Sequence, residues 1–190
     1  MPLENVNLVN LTDKEIVEQI KNGDDRAFGE LVNRYEKKVF FIAKRMLNDD
    51  DEAWDASQEV FIKLHDSLRR FRGDANIYTY IYRVATNVAI SFLRKRKVRS
   101  VVRLDDVLNT MVSHGDEPER DSDKAELKRL VASAVESLPA QQRQVFVLRF
   151  YEELSYEEIS RILNRSLGAL KANYFHAMKK IGEYLKDAMR

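Results

Sequence analysis

The sequence predicts an all-α chain: two small helical domains joined by a flexible acidic linker. Three observations carry that expectation. Apolar residues recur at three- and four-residue intervals over long stretches, the signature of one helix face. Two capping boxes mark helix starts. No segment shows sustained period-two alternation bounded by turn residues, as a half-buried strand would.

In chain order, Thr12 with Glu15 forms the first capping box. Phe28, Leu31, Val32, Tyr35, Val39, Ile42, Ala43 and Met46 then line one helix face. The block Asn48 to Glu59 holds Asp49, Asp50, Asp51, Glu52, Asp55 and Glu59 and no Lys or Arg. Asp51 and Glu52 suit the positive N-terminal end of a helix running to Leu68. Ile77, Tyr80, Ile81, Val84, Ala85, Val88, Ala89, Phe92 and Leu93 form another stripe, which ends in Arg94-Lys95-Arg96-Lys97. Between Val98 and Asp123 the helical pattern fails around His114-Gly115-Asp116-Glu117-Pro118. We read residues 98–123 as a linker between domains at 12–97 and 124–190, with Leu104, Val107, Leu108 and Met111 able to dock or form a short helix.

Beyond it, Leu127, Leu130, Val131, Ala134, Val135 and Leu138 make a stripe, and Pro139 stands where a new helix can begin. Ser155 with Glu158 opens a short amphipathic helix to Leu163 with Tyr156, Ile159, Ile162 and Leu163 inward. Asn164-Arg165-Ser166 is a tight turn, and Ser166 suits the N-cap of the next helix. That helix has Leu167, Leu170, Tyr174, Ala177, Met178 and Ile181 as its inner face.

Composition excludes several function classes. The chain has 190 residues, 32 Lys+Arg against 31 Asp+Glu, and no cysteine. Disulfide scaffolds, iron–sulfur centres, thiolate zinc sites and catalytic thiols are therefore ruled out. His65, His114 and His176 are too scattered to suggest a metal site or catalytic triad, and we expect no catalytic residue, metal, cofactor or small-molecule substrate. No apolar run is long enough to span a membrane, and Met1 to Leu11 does not read as a secretory signal, so a cytoplasmic protein is expected. The near-zero net charge conceals alternating blocks, because acidic Asn48–Glu59 and Asp105–Glu126 flank basic Arg94–Arg103, and the chain beyond Lys171 is basic again.

Two constellations bear on nucleic acid. A short helix, a tight turn and a longer helix with donors outward is the grammar of a helix-turn-helix, whose second helix enters the major groove. Here Lys171, Asn173, His176, Lys179 and Lys180 face outward, with Arg165 and Ser166 at the turn. A helical hairpin with a solvated basic face fits the spacing equally well. In the N-terminal half, Tyr78 and Tyr82 lie four apart on a face distinct from the apolar stripe, near Arg83 and Asn87. Aromatics among cations suit single-stranded nucleic acid, since stacking is worth roughly 1–3 kcal/mol per base. Packing of both tyrosines at a domain surface is the competing reading. The carboxylates of Asp49–Glu59 admit Mg²⁺ binding, helix-dipole pairing or docking on a basic protein, and no phosphate loop accompanies them.

Taken together the residues resemble bacterial RNA polymerase sigma factors of the extracytoplasmic-function group, from about Asp24 to Leu185. Ala27–Tyr35 resembles region 2.1, and Asp55–Leu64 resembles region 2.2. Phe71–Ala75 through Tyr82–Asn87 resembles region 2.3, and Ala89–Lys97 resembles region 2.4. Leu138–Phe146 and Leu154–Ile159 resemble region 4.1 and the start of region 4.2. The resemblance implies binding to core polymerase through its β′ and β subunits by Asp55, Gln58, Glu59, Phe61 and Ile62. It implies recognition and melting of the promoter −10 element by Phe71, Arg72, Gly73, Asp74, Ala75, Asn76, Tyr78, Tyr82, Arg83, Asn87, Arg94, Lys95, Arg96 and Lys97. It implies −35 contacts by Arg165, Ser166, Lys171, Asn173, His176, Lys179 and Lys180, and restraint by an anti-sigma factor.

Trp54 stands where the family usually has a carboxylate, Tyr80 replaces a customary Trp, and Ala172-Asn173 replace a common Ser-Arg pair. The alternative functions are a stand-alone helix-turn-helix regulator and a metal-dependent phosphohydrolase on Asp49–Glu59. A regulator of that kind usually dimerises to read a palindrome, and no spare dimer helix is evident.

Overall fold

The computed structural model describes residues 7–71, 76–104 and 122–189, and every regular element among them is helical. After a 3₁₀ turn at Leu8–Asn10, helix α1 spans Asp13–Lys21, α2 Asp25–Leu47, α3 Asp50–Leu68 and α4 Ile77–Leu104. The C-terminal half holds α5 (Ser122–Glu136), α6 (Ala140–Phe146), α7 (Tyr156–Leu163) and α8 (Leu167–Ala188).

Local chemistry fixes the helix ends. Both expected capping boxes form: Thr12 with Glu15 opens α1, and Ser155 with Glu158 opens α7. Asp49 caps α3 by accepting from the Glu52 amide at 2.8 Å, and Asp50, Asp51 and Glu52 occupy its first turn. This is the dipole-pairing reading of the acidic block. Asn76 does the same for α4, its Oδ1 accepting from the Tyr78 amide at 3.3 Å. Helices α2 and α7 stop at Asn48 and Asn164, both in the left-handed region that asparagine tolerates better than most residues.

Helix α4 runs past Lys97 to Leu104, where the sequence suggested the linker had already begun. Arg, Lys, Val and Leu all continue a helix without penalty large enough to stop it, and no Gly or Pro intervenes before Leu104. Of the expected linker, 105–121 lies outside the described residues. So do Arg72, Gly73, Asp74 and Ala75.

One large apolar cluster organises the molecule. Ile16, Leu31, Ile42, Met46, Leu64, Leu68, Ile81 and Ala85 from α1–α4 belong to it, together with Val145, Val147, Leu148, Leu154, Ile159, Ile162 and Leu170 from the C-terminal half. A second, smaller cluster of Ala134, Val135, Leu138, Phe146, Ala177 and Ile181 joins α5, α6 and α8. Inward residues of the sequence reading largely hold their places. Leu127, Leu167 and Met178 do not, since each lies exposed at the margin of its helix stripe, beyond what the neighbouring helices cover.

Candidate functional surfaces

Three surfaces carry the residues the sequence singled out. On α8, Ser166 accepts from the Ala169 amide at 3.3 Å and fixes the helix start. Lys171, His176, Lys179 and Lys180 all point to solvent. Asn173 is half-buried, and one N–H of its amide donates to the Ala169 carbonyl at 2.8 Å, which leaves the other N–H and the Oδ1 for a base edge. Arg165 is held by Gln141 at 3.1 Å, beside the turn. The residue missed is Phe175, 65% exposed and placed four residues after Lys171 and four before Lys179. That spacing was the available signal, because a phenylalanine on the lysine stripe has no core to fill.

On α3, Asp55, Gln58 and Ile62 share an exposed face. Glu59 sits at its edge between Lys63 at 3.3 Å and Lys95 at 4.0 Å. Phe61 turns inward against the large cluster and does not join that face. Trp54 does join it: it is 57% exposed, one turn before Gln58, with its ring 4.4 Å from Phe40. Among the described residues no group of His, Cys, Asp or Glu side chains is arranged to hold a metal ion.

On α4, the basic end presents Arg94, Lys95 and Lys97 outward, and Asn76 and Asn87 are exposed as well. Phe71 packs its ring 5.1 Å from Tyr80. Arg96 instead bridges Glu52 at 2.6 Å and Glu136 at 3.2 Å. Tyr78 and Tyr82 lie with ring centroids 4.5 Å apart, packed at the join between the two halves. Tyr82 is only 3% exposed, and its hydroxyl donates to Glu152 at 3.0 Å. Burial, then the Glu152 carboxylate, pushes its pKa up. The Tyr78 hydroxyl is buried without a partner, and burial followed by the carboxylates of Glu158 and Glu152 pushes its pKa up to about 12. Both phenols stay neutral at physiological pH. Arg83 donates to the carbonyls of Ile162 at 2.9 Å and Arg161 at 2.6 Å. Tyr82, Arg83 and Arg96 of α4 thus meet groups of the C-terminal half that the sequence did not mark.

Those groups are Glu152, Glu136 and the carbonyls of Arg161 and Ile162; Arg143, which meets no α4 side chain, is a further buried group the sequence did not mark. Glu152 follows a π turn at Val147–Tyr151, a local change of register that sets its side chain between Arg45 and Tyr82. Arg143 is 6% exposed, and its guanidinium donates to the carbonyls of Met46 at 2.6 Å, Leu138 at 3.3 Å and Glu136. Desolvation lowers its pKa. Nothing in Gln141-Gln142-Arg143-Gln144 distinguishes it from a solvated arginine.

Sequence models of two families match the chain: Sigma-70 region 2 over residues 31–99, and Sigma-70 region 4 over residues 128–181. The RNA polymerase sigma-H factor of Pseudomonas aeruginosa is 34% identical over 185 residues, covering 94% of this chain and 96% of that protein. The ECF RNA polymerase sigma-E factor of Escherichia coli K12 is 34% identical over 187 residues, 95% of this chain and 97% of the relative. Among solved structures, CnrH in complex with the cytosolic domain of CnrY superposes with a TM-score of 0.66 at 23% identity, over 92% of this chain and 97% of that one. The sigma factor RpoE of Bartonella quintana, in complex with the anti-sigma factor NepR, gives 0.65 at 23% identity over 84% and 96%. These two likenesses concern the fold.

Proposed function

Because this chain belongs to the extracytoplasmic-function group of RNA polymerase sigma factors, we propose that its three exposed surfaces divide the work of promoter selection. As a sigma factor it binds core polymerase and directs promoter-specific initiation, recognising −35 and melting −10. It acts in the cytoplasm and adds no catalysis of its own. No helix among the described residues is long and apolar enough to cross a membrane.

The region 2 domain begins at residue 12 and includes α4 to its end at Leu104, the region 4 domain begins with α5 at Ser122, and the residues between form the linker along the polymerase RNA channel. Asp55, Gln58, Glu59 and Ile62 dock the β′ subunit, with Trp54 as an added apolar anchor on the same face. An exposed Trp on the same face as Asp55 and Gln58 has the make-up of an interface hot spot. Lys171, Phe175, His176, Lys179 and Lys180 read −35, the lysines reaching phosphate or guanine and the phenylalanine reaching a thymine methyl. Arg94, Lys95 and Lys97 hold the −10 backbone, while Tyr78, Tyr82 and Arg83, packed at the join between the halves in this structure, receive an unstacked base only where those contacts part. An anti-sigma factor holds the chain inactive, a reading supported by the anti-sigma factor NepR bound to RpoE in the structure of similar fold.

The observation that carries this division is the α7–turn–α8 unit, whose outward stripe Lys171–Phe175–Lys179 has no structural role in its own core. Run-off transcription with purified core polymerase on genomic promoter fragments tests the reading. Start sites present with the chain and absent with core alone are expected, and identical start sites in both reactions would refute it.

A further inference from the structure

Arg165 lies in the turn between α7 and α8, and contacts from three helices converge on it. Asn164, in the left-handed region, ends α7 and turns the chain. The Ser160 hydroxyl of α7 donates to the Arg165 carbonyl at 2.7 Å, which fixes the backbone of the turn. Ser166 caps α8 immediately after it. The guanidinium is held from a third side, because one of its N–H groups donates to the Gln141 side-chain oxygen at 3.1 Å. Gln141 is the second residue of α6, a helix anchored just beyond it by buried Arg143 and by Val145 and Phe146 in the two apolar clusters. The cation of the turn is thus tied to a rigid element 24 residues away in sequence.

That tie holds the arginine without neutralising it. An amide oxygen carries no net charge, so Arg165 keeps its own in full. Among the described residues, four of its five N–H donors are left for a phosphate. An arginine free in water must freeze several torsions to bind, whereas one already aimed loses less. Lys171, in the second turn of α8, is also placed by an uncharged neighbour, its ammonium 5.8 Å from the centre of the Tyr156 ring. We propose that Gln141 is a positioning residue for −35 recognition: it acts without touching DNA, by holding the Arg165 guanidinium where a −35 phosphate meets it. The proposal rests on the assignment of Arg165 to −35 DNA.

Holoenzyme assembled from core polymerase and the full chain is titrated with a genomic promoter fragment on which it initiates. Filter binding is followed from about 50 to 300 mM salt. Gln141→Met keeps the length and helix propensity of an exposed side chain and removes the acceptor. Binding roughly three- to fivefold weaker is expected, against roughly tenfold for Arg165→Ala. The slope of log affinity on log salt should become shallower by about 0.9 in Arg165→Ala and by part of that in Gln141→Met, a change a purely structural substitution does not make. Adding Gln141→Met to Arg165→Ala should weaken binding no further, because the side chain through which Gln141 acts is gone. Affinity and slope equal to wild type in Gln141→Met overturn the proposal. So does an additive loss in the double variant, which would mean that Gln141 acts on its own. If Arg165→Ala itself changes nothing on a fragment where the holoenzyme initiates, the −35 assignment of Arg165 falls and the proposal with it, while the sigma reading stands.

Discussion

Phe175 and Arg143 are the two side chains whose local sequence says least about what they do. Phe175 is a large ring left in water on the face of α8 that carries the lysines, and exposed aromatics contribute little to folding. Phe175→Ala should therefore leave thermal stability within about 0.5 kcal/mol. It should cost about 1–2 kcal/mol of −35 duplex affinity in the holoenzyme if the ring meets a thymine methyl. Filter binding with T-to-U substitutions along the −35 element, which remove the methyl, checks the assignment: the variant should lose sensitivity at one position. Arg143 is the opposite case, a cation withdrawn from solvent. Its guanidinium reaches carbonyls at the ends of α2 and α5 together, so one side chain closes two helix C-termini. Arg143→Met keeps bulk but strips the donors from Met46 and Glu136. A loss of about 2–4 kcal/mol is expected by urea denaturation, and Arg143→Lys should recover only part of it.

At the scale of the element, the capping box of α7 links stability to pH. Hydrogen bonds from the Ser155 amide and hydroxyl, each 2.8 Å from Glu158, hold that carboxyl below its ordinary value of 4.5. A carboxyl with a lowered folded pKa contributes stability that is full above the unfolded value and disappears as pH falls through the folded one. Ser155→Ala should cost about 1 kcal/mol near neutrality. Measured by thermal melts from pH 7 to pH 3, that difference should shrink below about pH 4.5. Helices and caps of this kind were legible in the sequence because they obey local rules: a period of 3.6, and a Ser or Thr three residues before Glu. What periodicity does not reveal is how wide a stripe the neighbours cover, which is why Leu127, Leu167 and Met178 read as inward and lie exposed. Nor does it reveal a change of register. The run Val145-Phe146-Val147-Leu148 is buried throughout, so its sequence carries no mark of the π turn that aims Glu152.

For the whole molecule, the near-cancelling charge of the chain is partly an internal pairing of its halves. Arg45 with Glu152 and Arg96 with Glu136 each join residues from opposite sides of the linker, a relation no local pattern could disclose. Such pairs contribute modestly where water reaches them, so the shared apolar cluster must carry most of the cohesion. Leu148 is fully buried in that cluster although it belongs to the C-terminal half, whereas Trp54, the single tryptophan, lies on α3 in the N-terminal half. If the halves fold as one cooperative unit, tryptophan fluorescence and far-UV circular dichroism should give coincident unfolding curves in urea. Leu148→Ala should then shift both by the same amount, with a loss of about 2–5 kcal/mol for a cavity at a site this enclosed. Halves that unfold independently would leave the Trp54 transition in place and move only the dichroism. The outcome decides whether the seam between the halves is a structural core in its own right.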